Sequence, residues 1–130
     1  MSSENAVITE TSRHKMILAR AGALTGVLPP IVQMAFGDGG TDGSGEPIEP
    51  SESDTALRHE LLRKDIDGYS FPTTTSCLYA CTLSPNELPG QTINEVGLID
   101  SEGDLVAIKT MTNKGKDSDL EMKFTIEDIF

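Results

Sequence analysis

The stretch INEVGLIDSEGDLVAI, residues 93–108, places two apolar runs on either side of an acidic segment that extends from Asp100 to Asp104. Such a segment is either a metal-binding loop or a turn. An EF-hand calcium loop needs Gly at its sixth position and Glu at its twelfth. Counted from Asp100, those positions hold Leu105 and Met111. The pattern therefore predicts a β-hairpin turn in which Gly103 takes a positive φ.

The two strands of this hairpin, 96–100 and 105–110, carry apolar residues on both faces, which is typical of strands that are covered on two sides. Further strands are predicted at 31–36, at 73–83 and, from strict alternation of apolar and polar residues, at 120–127. One helix is predicted from Ser12, as N-cap, to about Leu24. A second is predicted from Ser53 or Asp54 to about Arg63, with Glu60 and Lys64 as an i,i+4 ion pair.

Together these elements predict one domain over residues 1–130, of α+β class. Its expected order is an N-terminal helix, a Gly/Asp-rich loop at 37–54, a short helix, and then a mainly antiparallel β-sheet or sandwich. Residues 1–11 are polar and are expected to be flexible. The two cysteines, Cys77 and Cys81, would lie about 13 Å apart on one side of a strand, so free thiols are expected.

The net charge of −11, from 21 acidic and 10 basic residues, argues against binding to nucleic acid or to an anionic membrane. No export or membrane-spanning signal is recognised, so a soluble cytoplasmic product is expected. No nucleophile motif, phosphate-binding loop or dinucleotide fingerprint occurs, and His14 and His59 stand alone. The sequence therefore predicts no enzymatic activity, no catalytic residue and no cofactor.

Residues 93–107 resemble the pattern I-x-E-x-G-L-y-D-x-d-G-x-L-x-A of the phage tail-collar fibre family, the N-terminal domains by which tail fibres join a phage tail or baseplate. MAFGDGG, residues 34–40, is similar to the family's strand and GDG loop, and residues 54–63 are similar to its L-x-x-E-x-x-R helix, which lies between the loop and the sheet. The three blocks occur in the family's order. The residues that carry the resemblance are Gly37, Asp38, Gly39, Glu60, Arg63, Glu95, Gly97, Leu98, Asp100, Gly103 and Leu105.

The resemblance implies a structural virion protein, of a phage or a phage-tail-like particle, that joins the tail baseplate and the tail fibre by protein–protein contacts. It implies baseplate and fibre proteins as partners, a homo-oligomer such as a trimer or a ring, a location in the virion tail, and assembly in the cytoplasm of the bacterial host. Family members usually continue into a long fibre shaft, whereas this chain reads as a short member without one. Ile129 and Phe130 are candidates for a docking tail, or alternatively complete the last strand.

An alternative from a different class is a small calcium-dependent binding module. It would use the acidic, Gly-rich loops, with Asp38, Asp42, Asp100, Glu102 and Asp104 as ligands, since calcium prefers oxygen ligands. The failed EF-hand spacing and the single copy of the Gly/Asp-rich loop argue against it. No residue is therefore assigned to a metal.

Overall fold

The computed structural model describes residues 6–130 and contains eight strands and one helix in that range. The elements are β1 Ala6–Ile8, α1 Glu10–Ala21, β2 Ile31–Gly37, β3 Glu60–Asp65, β4 Gly68–Thr73, β5 Ser76–Leu83, β6 Thr92–Asp100, β7 Leu105–Gly115 and β8 Met122–Ile129. They form a five-stranded sheet of order β1-β7-β6-β2-β3 and a three-stranded sheet of order β4-β5-β8. All pairings are antiparallel.

The prediction of an α+β domain with two helices is wrong. Strands account for 48% of the structure and the single short helix for 10%, so the fold is mostly antiparallel β-sheet. The segment predicted as the second helix has no helical residues, and its last part forms β3. β3 pairs with β2, for example Lys64 with Met34, and so supplies hydrogen-bond partners to one side of β2. This pairing overrides the helical propensity of the segment.

Of the N-terminal residues 1–11 that are expected to be flexible, residues 6–11 contain strand β1 and the start of α1, while residues 1–5 lie outside the described part of the chain. Ala6–Ile8 pair with β7, and the helix begins at Glu10 with Thr9, instead of Ser12, as its N-cap. The Thr9 hydroxyl donates to the carbonyl oxygen of Leu105 at 2.6 Å and accepts from the Ser12 amide at 3.3 Å. Strand pairing and capping together hold the start of the helix against the hairpin.

The predicted hairpin is confirmed, as β6 and β7. Its strands are covered on both faces: Val96 and Leu98 belong to the core between the two sheets, whereas Ile99 and Leu105 pack with Leu57 in a second cluster. The core between the sheets includes an edge-to-face contact of Phe36 with Phe124, with ring centroids 5.4 Å apart. A strand with two apolar faces is stable here because each face has its own apolar neighbours.

The remaining strands differ from prediction mainly at their ends. The run predicted at 73–83 is divided between β4, which ends at Thr73, and β5, which begins at Ser76, with a tight turn between them. The alternating run predicted at 120–127 begins at Met122 and continues to Ile129. Within residues 6–130, no helix has the length and apolar character needed to cross a membrane.

Candidate functional site

Glu95, in the middle of β6, organises the loop that follows β2. Its side chain is fully buried. One carboxylate oxygen accepts the backbone amides of Gly39 and His59 at 2.8 and 2.9 Å, and the other accepts the amide of Arg58 at 2.9 Å. Three hydrogen bonds to one buried carboxylate compensate for its removal from water. Glu95 therefore joins the glycine-rich loop to the segment that enters β3.

Asn94 holds the same loop from the adjacent position. The β6–β7 register shifts between Ile93 and Glu95, and such a bulge lets neighbouring side chains depart from strict alternation. The Asn94 side-chain oxygen accepts the Gly40 amide at 2.7 Å, while its nitrogen donates to the Asp38 carbonyl at 3.2 Å and to Asn113 at 3.0 Å. The buried amide group is thus satisfied at both ends. The sequence did not identify Asn94 as a structural residue, because a single Asn forms no recognisable motif.

Three glycines make this close approach possible. A Cβ added at Gly37 would lie 2.4 Å from the His59 carbonyl oxygen, and one at Gly40 would lie 2.4 Å from the Asn94 carbonyl oxygen. A Cβ at Gly39 would lie 2.7 Å from the side chain of Arg58. These positions need glycine for lack of space, because their φ values are not in the left-handed region. The structure thus brings together Gly37, Gly39 and Glu95, which are far apart in sequence.

Other charged residues of the predicted set lie at the surface near β3. The Asp38 carboxylate contacts the exposed His59 ring, and this hydrogen bond raises the pKa of His59 above its ordinary value. Arg63 pairs with Glu60 at 2.9 Å. The predicted pair of Glu60 with Lys64 is wrong, because the segment is a strand and not a helix. Lys64 instead contacts Glu87 at 2.7 Å.

The acidic segment at the other end of β6 is a turn. One Asp100 oxygen accepts the amides of Glu102 and Asp104 at 2.9 and 3.1 Å, and the Gly103 amide donates to the Asp100 carbonyl oxygen at 2.9 Å. Gly103 has a φ of 86°, as the turn interpretation required. Asp100 is buried, so this acid stabilises the hairpin from within.

The side-chain oxygens of this turn surround the ammonium group of Lys15, which extends from α1. The Lys15 nitrogen lies 2.7 Å from Asp100, 2.8 Å from Glu102 and 2.8 Å from Asp104, and the lysine side chain is only 13% exposed. Burial lowers the pKa of Lys15, but the hydrogen bonds to the three carboxylates outweigh this effect, so that its pKa lies above the ordinary value. The sequence offered no signal for this contact, which joins residues 85 positions apart.

These three carboxylates are also close enough to one another to hold a metal ion, but the Lys15 ammonium takes the position that a cation would need. The other two ligands of the calcium alternative lie elsewhere. Asp38 contacts His59, and Asp42 accepts the amides of Ser44 and Glu46 within its own loop. The loop that contains Asp38 is anchored at Glu95, which is five residues from Asp100 along a strand, or roughly 17 Å. The structure does not bring the five acids into one site.

The remaining predicted residues are structural in their surroundings. A Cβ at Gly97 would lie 2.6 Å from a methyl carbon of Leu105, so glycine makes room for that side chain. Leu98 is fully buried in the core. Ile129 ends β8 opposite Ser76, and the amide of the exposed Phe130 donates to the Thr75 carbonyl oxygen at 2.9 Å.

Comparison with known proteins assigns the chain to a family. No curated protein and no solved structure matches it significantly. The family model described as phage tail-collar fibre protein, N-terminal, matches residues 1–126 of the 130 residues. The matched region contains the glycine-rich loop, the β6–β7 hairpin and both groups of polar contacts described above. The chain therefore belongs to the phage tail-collar fibre protein family.

Proposed function

We propose that this phage tail structural protein joins the tail baseplate to the tail fibre through protein–protein contacts and performs no catalysis. The observation that carries the proposal is the family match over residues 1–126. The contacts of the polar residues that carry the family resemblance also support the proposal. Glu95 and Asp100 are buried and bonded within the domain, where they stabilise loops instead of presenting reactive groups.

A homo-oligomer, either a trimer or a ring assembled in the host cytoplasm, is the form that we propose for this attachment. Within residues 6–130, both sheets end in edge strands that pair on one side only, and an edge strand offers unpaired backbone groups to a further strand. β1 and β3 border the larger sheet, and β4 and β8 border the smaller one. Light scattering on the purified protein should give a mass of three or more chains, and a monomer at all concentrations would contradict the oligomer.

The attachment role can be tested on particles. Phage or tail-like particles that lack this protein should have tails without fibres, or with a misassembled baseplate, in electron micrographs. Supplying the intact protein in trans should restore the fibres. As a matched control, the exposed Glu121→Gln variant should restore them equally well. Fully fibred, infectious particles in the absence of the protein would refute the proposal.

A further inference from the structure

The inner face of the three-stranded sheet extends beyond the larger sheet. At one end of this face, Cys81, Phe124 and Ile126 are buried in the core between the sheets. Tyr69 and Phe71, on the edge strand β4, are 64% and 70% exposed, and Phe130, just beyond the end of β8, is 67% exposed. Along β8, the alternating inward-facing side chains therefore continue from the buried Phe124 and Ile126 to the exposed Phe130.

We call this region the open aromatic face and define it by the exposed Tyr69, Phe71 and Phe130 together with the partly buried Cys77, Tyr79 and Asp128. It holds four of the six aromatic residues of the chain, which has 2 Tyr, 4 Phe and no Trp. Tyr69 contacts both Phe71 and Tyr79, with ring centroids 5.6 and 6.3 Å apart. Aromatic side chains are concentrated in this way at the energetic centres of protein interfaces.

Two adjoining depressions give this face its shape. One, of about 370 Å³, is lined by Phe71, Cys77, Tyr79, Asp128 and Phe130, among others. The second, of about 330 Å³, lies between the same sheet and the residues around α1, and it shares Tyr79, Asp128 and Phe130 with the first. Asp128 is the charged residue common to both depressions.

Asp128 is the charged residue of the open aromatic face. It pairs with Cys77 across β5 and β8, so its side chain shares the inner face with Tyr79. Its Oδ1 atom is shielded from solvent and has no hydrogen-bond partner within residues 6–130. Burial raises the pKa of Asp128 above its ordinary value. A shielded carboxylate oxygen without a donor is destabilising unless a cation or a donor from another molecule reaches it.

We propose that the open aromatic face receives an arginine side chain, with its apolar neighbours, from a segment of a partner tail protein. The guanidinium would pair with Asp128 and stack on the rings of Tyr79 and Phe130, and apolar groups would cover Phe71. Arginine matches these features because it combines a planar donor pair for a carboxylate with stacking on aromatic faces. A net charge of −11 on each copy of this chain favours a basic partner over a second copy. This inference rests on the proposed attachment function and identifies the surface through which the protein would attach.

The test uses the intact chain and a synthetic peptide, acetyl-Leu-Arg-Phe-amide, compared with the peptide in which citrulline replaces arginine. Citrulline keeps the shape and removes the charge. In amide NMR titrations, the arginine peptide should shift resonances of Phe71, Cys77 and Tyr79. The citrulline peptide should bind at least about tenfold more weakly, as expected for loss of a charged hydrogen bond. Asp128→Asn should remove that difference between the peptides, and the exposed Glu121→Gln, which changes net charge equally, should retain it.

Equal binding of both peptides, shifts confined to another surface, or no binding would refute the proposal. Protection of these rings by a second copy of the chain in the absence of peptide would also refute it, because the occupant would then be the chain itself. Failure of the attachment function is distinguishable from these outcomes. If the peptide result fails while particles lacking the protein still lose their fibres, the protein attaches through a different surface.

Discussion

Replacing Glu95 by Gln tests whether the glycine-rich loop is held by a buried carboxylate. Glu95 accepts three backbone amides, from Gly39, Arg58 and His59. An amide side chain has only one acceptor oxygen, so at least one buried N–H loses its partner, at a cost of about 1–3 kcal/mol. The other bonds lose the strengthening that the charge provides, roughly 1 kcal/mol each. We expect the free energy of unfolding to fall by about 3–5 kcal/mol.

This loss leaves a folded protein when the parent's free energy of unfolding exceeds it by a few kcal/mol, as holds over most of the usual range of about 5–15 kcal/mol. Urea and thermal unfolding should measure it, with a melting temperature lower by roughly 10–20 °C for a domain of this size. Hydrogen exchange should accelerate first at the amides of Gly39, Arg58 and His59. The exposed Glu121→Gln is the matched control and should change stability by less than about 0.5 kcal/mol. A Glu95→Gln variant within about 1 kcal/mol of the parent would refute the reasoning.

Three other perturbations address the turn and the surface. Lys15→Met should lower the free energy of unfolding by about 2–4 kcal/mol, because three carboxylates lose their cation. Millimolar calcium should raise the melting temperature of this variant and leave that of the parent unchanged. Gly103→Val should lower the free energy of unfolding by about 1–2 kcal/mol, because valine is strained at the positive φ of this position. No atom lies within 4 Å of the added Cβ, so a steric clash does not contribute. A variant as stable as the parent would contradict the turn assignment. The His59 ring should titrate by NMR above its ordinary value of 6.5, and Asp38→Asn should lower the midpoint. Because the folded-state pKa is raised, the pair's contribution to stability is complete below pH 6.5 and is lost as pH rises through the folded-state value.

The hairpin could be predicted because its information is local. Apolar runs on both faces, interrupted by a polar segment with Gly103, specify two covered strands and a turn without knowledge of the rest of the chain. The strand at β8 could be predicted for the same reason, from alternation over its own residues. The ends of strands were less predictable, because pairing with a neighbour decides where a strand stops.

The segment that forms β3 could not be assigned correctly, because the deciding partner is distant. Leu57, Leu61 and Leu62 have a spacing that is compatible with an amphipathic helix. In the fold, Leu57 packs beside the space that Gly97 leaves open, while Leu61 and Leu62 lie in a strand beside β2. The pattern of apolar residues is the same in both interpretations, and only the position of β2 and β6 distinguishes between them.

The polar contacts explain why the role of the acidic residues could not be decided from the sequence. β6 carries two buried acids, Glu95 and Asp100, and each is bonded to a segment that reaches it from elsewhere in the chain: the glycine-rich loop at one, and Lys15 of α1 at the other. Composition alone does not distinguish such acids from metal ligands or from exposed surface charges. Once their bonds are known, both belong to the scaffold. Asp128 differs from these two acids, because its shielded oxygen has no hydrogen-bond donor within residues 6–130. A buried acid that the fold satisfies stabilises the domain, and one that the fold leaves unsatisfied marks where another molecule is expected to bind.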